Sequence, residues 1–138
     1  MLMRLTAFLF LVSLTGCLSS KNVSTKQNKL NGTWTPVQQE IAGKSLPQVA
    51  FENQRLIISD SIYSFTAESV DKGVVQYKNN KMDIYGKEGV NAGKHFTAIY
   101  RYENGQLSIC YNLTGDSYPL AFETKTQPAL FLAIFKKE

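Results

Sequence analysis

The chain has 138 residues, 15 of them basic and 11 acidic, for a formal net charge of +4. Removing the first sixteen residues takes away only Arg4, so the remaining 122 residues carry a net +3. That mild excess lacks the clustering of a nucleic-acid footprint, and the length is one domain's worth.

The N-terminus opens with Arg4 and an apolar run from Leu5 to Leu14 broken only by Thr6 and Ser13. A run of about ten residues is half of the roughly 20 that a helix needs to cross a hydrocarbon core. Its length and flanks therefore predict an export signal over residues 1–16. The run ends in Leu14-Thr15-Gly16-Cys17, which resembles the lipobox of bacterial lipoproteins. The resemblance implies cleavage before Cys17, acyl chains of the palmitate class on its sulfur and new amino terminus, and anchoring to a membrane. Two or more chains, at about 0.8 kcal/mol per buried methylene, hold far better than one. Leu18 rather than Asp after the cysteine implies, by resemblance to proteobacterial sorting, the periplasmic face of the outer membrane.

Residues 17–30 are rich in Ser, Asn, Lys and Gln. They bury too little apolar surface to offset the entropy of ordering, so a flexible tether is expected between anchor and domain. A folded domain is expected over residues 31–138.

Short β-type runs follow in chain order. Gly32 to Gln39 is a first strand, a loop passes Gly43 and Pro47, and Gln48 to Gln54 is a short helical turn. Strands are expected at Arg55–Ser59, Ile62–Ser69, Gly73–Lys78 and Lys81–Tyr85, then a glycine-rich loop from Gly86 to Lys94. His95–Glu103 and Gln106–Asn112 flank Asn104-Gly105, the strongest two-residue hairpin signal. Tyr118–Lys125 and Leu130–Lys136 are the last expected strands. Short strands with no helix long enough for a crossover predict an all-β, antiparallel up-and-down barrel of about eight strands.

Period-two alternation assigns faces. Tyr63, Phe65 and Ala67 share one side of their strand; Phe96, Ala98, Tyr100 and Tyr102 share another, opposite His95, Thr97 and Arg101. Leu107, Ile109 and Tyr111 continue the apolar side across the hairpin. Leu130 to Phe135 does not alternate, which predicts a strand covered on both faces or one whose outer face meets a partner. Trp34, Tyr63, Phe65, Tyr77, Tyr100, Tyr102 and Tyr111 are the candidate residues lining an interior cavity.

Gly32-Thr33-Trp34 is followed by Gly43-Lys44-Ser45-Leu46-Pro47, Arg55-Leu56-Ile57-Ile58, Ala98-Ile99-Tyr100-Arg101-Tyr102, Leu107-Ser108-Ile109-Cys110-Tyr111 and Leu130-Phe131-Leu132. In that order they resemble a small lipocalin-like domain known chiefly from repeated copies in Planctomycetes. The resemblance spans the whole domain and implies a lipocalin-like barrel with the tryptophan plugging its closed end, but no activity. Tyr118-Pro119 departs from the family pattern, which sets a basic residue before the proline.

Few residues offer chemistry. His95 is the sole histidine, with no Cys, His or carboxylate at ligand spacing, so no metal site is expected. Its pairing with Cys110 across one hairpin is the nearest approach to a nucleophilic couple, and a buried structural thiol is the preferred reading of Cys110. Asp83 with Glu88, and Glu68 with Asp71, fall at strand ends and turns, where solvated charge is the ordinary explanation. No catalytic residue, cofactor or nucleic-acid partner is expected. The leading expectation is a lipid-anchored, non-enzymatic module binding a small apolar ligand or lipid. The alternative is a solidly packed assembly lipoprotein acting through an envelope protein partner.

Overall fold

The computed structural model describes residues 28–138; the expected export signal, Cys17 and the tether as far as residue 27 lie outside the described residues. Nine strands follow in order: β1 (Gly32–Ile41), β2 (Lys44–Ser45), β3 (Arg55–Ser59), β4 (Ile62–Thr66), β5 (Val70–Lys78), β6 (Lys81–Glu88), β7 (His95–Glu103), β8 (Gln106–Asn112) and β9 (Leu130–Lys137). A single 3₁₀ turn, Gln48–Ala50, stands where the longer helical turn was expected. From β3 to β9 each strand pairs antiparallel with the next, and β1 pairs with both β3 and β9. The eight long strands therefore close into an up-and-down barrel, with β2 an extra ribbon on β1. The tight turns carry the residues their geometry requires. Asn104-Gly105 and Asn79-Asn80 hold positive φ at both central positions, as a type I′ hairpin needs.

The closing β1–β9 ladder carries one irregularity. The β1–β9 register shifts between Pro36 and Gln38, leaving Val37 as the extra residue of a bulge. Pro36 cannot donate to a ladder, and a bulge is where a strand tolerates it. Because the bulge adds one residue, Trp34 and Pro36 are buried before it and Gln39 after it, while Val37 and Gln38 both face out. The strand bends and its inward phase moves by one.

The expected strand at Tyr118–Lys125 is absent, and this is a correction. Residues 113–129 instead form turns and bends, a strap laid on the outside of the barrel. With β8–β9 and β9–β1 both paired, no edge remains for another strand, and Pro119 would leave a ladder position empty. Side chains hold the strap down. The Thr97 hydroxyl donates to the Ser117 carbonyl at 2.5 Å, and Asn112 Nδ2 donates to the Asp116 carboxylate at 2.8 Å and the Ser117 carbonyl at 2.9 Å. At its far end the fully buried Thr124 donates to Glu40 at 2.5 Å and accepts from the Gly43 amide at 2.8 Å. The strap explains the non-alternating terminal strand. Phe131, Ala133 and Phe135 pair with Tyr111, Ile109 and Leu107 on the inner side, while Leu132 is buried on the outer side. Phe65 stays in β4, but Ala67 falls past its end and is exposed.

One end of the barrel is plugged. Trp34 is fully buried, its indole N–H donates to the Leu30 carbonyl at 2.8 Å, and Tyr102 stands edge-on to it at 5.7 Å between centroids. Leu30, expected in the tether, belongs to the same core, and Asn28 Nδ2 donates to the Asp60 carbonyl at 3.1 Å. Trp34→Ala is expected to cost about 3–5 kcal/mol, the range for deleting a buried aromatic side chain. Urea unfolding followed by far-ultraviolet circular dichroism checks this; a loss under about 1 kcal/mol would show that the plug does not hold the barrel shut.

Candidate functional site

Above the plug the inward faces leave a cavity of about 160 Å³. Its wall is almost wholly apolar, built from alternate residues of the strands: Leu56 and Ile58, Val75, Met82 and Ile84, Ile109, Phe131 and Phe135 among them. Of the sixteen lining residues none carries a formal charge, and the polar ones are Gln39, Asn91 and the phenols of Tyr63, Tyr77 and Tyr111.

Each phenol owes its place to the sheet. Tyr63 faces Gly73 across the β4–β5 ladder, and a Cβ at Gly73 would collide with the Tyr63 ring and the Tyr85 carbonyl. Glycine there makes room for the ring. Burial raises the Tyr63 pKa, and the neighbouring Asp71 carboxylate adds to the rise. Tyr77 stands edge-on to Tyr100 at 5.9 Å. Among the described residues its buried hydroxyl has no hydrogen-bond partner; Asn28 approaches it without bonding geometry, and burial pushes its pKa up to about 12. Tyr111 is half-buried and lines the cavity. Burial raises its pKa too, with Tyr63 and Tyr77 contributing.

The open end carries a polar cap. Gln39, turned inward by the β1 bulge, donates from Nε2 to Gln54 Oε1 at 2.6 Å. Asp71 is buried and accepts from the Asn91 amide at 3.0 Å and from Asn91 Nδ2 at 3.2 Å. Those bonds fix the β6–β7 loop over the opening. Asp71 is thus not the solvated turn charge expected from sequence. Leu113 both lines the cavity and is exposed, so the cavity meets the surface beside it.

Outside the barrel, His95 Nε2 lies 2.8 Å from Asp83 Oδ1, its ring stacked on Tyr85 at 4.6 Å. The Tyr118 hydroxyl donates to the other Asp83 oxygen. That bond holds the Asp83 carboxyl below its usual range, with His95 assisting against partial desolvation. The group latches the strap to β6 and β7. A carboxylate does approach His95, from the adjacent strand rather than from nearby sequence. Among the described residues no three metal-ligating side chains gather. Nor do His95 and Cys110 meet, because the thiol is buried under the strap 3.8 Å from the Glu123 carbonyl. Burial pushes its pKa up to about 11, so it stays protonated at neutral pH.

Of the seven residues expected to line the interior, Tyr63, Phe65, Tyr77 and Tyr111 do. Trp34 is the plug, Tyr100 backs Tyr77, and Tyr102 lies at the plugged end with its outer part exposed. Alternation assigns Tyr100 and Tyr102 to the inward face but not their height along the barrel, and height separates plug from cavity. Gln39, Asn91 and Leu113 carry no local sequence signal of their place in the lining: a bulge turns the first inward, and loops place the others.

No protein-family model matches the chain, and no curated protein and no solved structure matches it either. Among the described residues no helix is long and apolar enough to cross a membrane.

Raised phenol and thiol pKa values set an alkaline limit. Below pH 9 folded and unfolded chains both hold these protons; above it the unfolded chain loses them first, so stability falls as pH rises. The loss is expected to begin with Cys110 and steepen between pH 10 and 12 as Tyr63, Tyr77 and Tyr111 come into play. Urea midpoints at pH 8 and 11 test this; equal midpoints would mean that these groups are solvated in the fold.

Proposed function

We propose that this chain is a membrane-tethered, non-enzymatic binding module whose barrel takes up one small, neutral, apolar molecule. The uncharged cavity carries the reading. Left empty, a void of about 160 Å³ forgoes packing worth about 4 kcal/mol at roughly 24 cal/mol per Å³. Filling it would recover much of that as binding energy. An engineered apolar cavity of about 150 Å³ in another protein takes up benzene, which sets the size class at a single ring or a short branched chain. That favours a small ligand over a whole lipid. The absence of any charged residue from the described lining favours a neutral one, and the phenols of Tyr63 and Tyr111 with the amides of Gln39 and Asn91 offer hydrogen bonds to a lone polar atom. Leu14-Thr15-Gly16-Cys17 supports attachment through a lipid on Cys17.

The alternative, a solid barrel acting through an exposed apolar strand, loses its motivating feature. Phe135 is buried inside the barrel, Phe131 lines the cavity, and the strap covers the outer side of β9.

Titration calorimetry of residues 28–138 with indole or toluene is expected to show saturable one-to-one binding. The folded state should gain about 2.7 kcal/mol of stability at a hundred times Kd. Ile84→Phe, which places a ring in the cavity, is expected to abolish uptake while the barrel stays folded. Absence of saturable binding by any ring-sized neutral probe would overturn the reading.

A further inference from the structure

We propose that the open rim of the barrel docks on a lipid bilayer, so that the cavity mouth faces the membrane that holds the tether. The inference rests on the reading of Cys17 as the anchor. Its own evidence is the placement of four aliphatic side chains at the open end. Val49 follows β2 on the 3₁₀ turn, Val70 opens β5, Val90 sits in the β6–β7 loop and Leu113 follows β8 as the first residue of the strap. Their exposures are 73%, 46%, 68% and 40%.

They surround one opening. The Val70 carbonyl packs against Gly89, next to Val90. Asn91, adjacent to Val90, and Leu113 both line the cavity. Val49 flanks the opposite side, where the same turn receives Gln54 Nε2 at the Ala50 carbonyl while Gln54 Oε1 accepts from the lining residue Gln39. Single exposed aliphatics are ordinary, and Ile57 and Ile62 on the barrel wall are such cases. A ring from four separate segments around an apolar mouth fits a flat apolar medium better than a peptide lying in a groove.

The tether allows this orientation. Asn28 is fixed at the plugged end, so ten residues, 18–27, span from Cys17 to the barrel. Extended, they reach about 35 Å. A nine-residue strand such as β7, tilted by roughly 40°, rises about 23 Å along the barrel axis. The chain can therefore run back along the barrel wall while the far rim touches the bilayer. Lys87 and Lys94 flank Val90 and suit headgroup phosphates, while Glu88 is offset by Lys72 at 3.7 Å.

Trp34 is the sole tryptophan, buried at the opposite end. The test couples Cys17 of the chain 17–138 to a maleimide lipid in phosphatidylcholine vesicles carrying brominated acyl chains. Cys110, the other cysteine, is buried and spared. Chemical coupling anchors the chain whether or not a cell acylates Cys17, so failure of the anchor reading leaves the rim test intact. In Val90→Trp, emission at position 90, after subtraction of Trp34, is expected to fall at least twofold, with Trp34 alone unquenched. Adding Val70→Asp and Leu113→Asp should restore it. An unquenched Trp at position 90, or equal quenching of Trp34, would overturn the proposal. So would a concentration-dependent blue shift without vesicles, which would assign the rim to a second copy of the chain.

Discussion

The pairing of β1 with β9 is the constraint on which the rest of the structure depends. It joins the first long strand to the last, so the sheet has no open long edge and the inward side chains face one another across a closed space. The bulge at Val37 lies within that pairing and has two effects. It bends β1, and it changes the inward phase so that Gln39 is delivered to the polar cap of the cavity.

Closure also governs the outer surface. With no edge left to extend, residues 113–129 wrap the outside, tied by Thr97, Asn112 and Thr124 and latched by Tyr118 on Asp83. The strap turns the outer faces of β8 and β9 into a second buried layer, which accommodates Cys110 and Leu132. His95 and Asp83 form part of this fastening. Their proximity is accounted for without a reaction.

The barrel was legible in the sequence because its signals are local. Alternation over Tyr63–Phe65, Phe96–Tyr102 and Leu107–Tyr111, with Asn104-Gly105 between the last two, fixes faces and a hairpin without tertiary knowledge. What misled was the apolar run at Tyr118–Phe122, which joins the fold as part of a strap held by side-chain hydrogen bonds rather than by strand pairing. The cavity was legible only in part. Four of seven candidate residues line it, since alternation assigns a side but shear sets the height. Gln39 was hidden by a bulge and Asp71 by a hydrogen bond from a loop twenty residues away. The first belongs to the closing ladder, the second to a loop folded back over a neighbouring strand.

The central claim is that a closed barrel keeps an apolar space above the Trp34 plug. Crystals of the domain held under xenon pressure test it most directly, because xenon occupies dry apolar cavities of this size. The account predicts one ordered xenon within van der Waals contact of Tyr111, Ile84 and Phe131, with the surrounding side chains unmoved. A fully packed interior with no xenon at that position, or a cluster of ordered waters in its place, would contradict it.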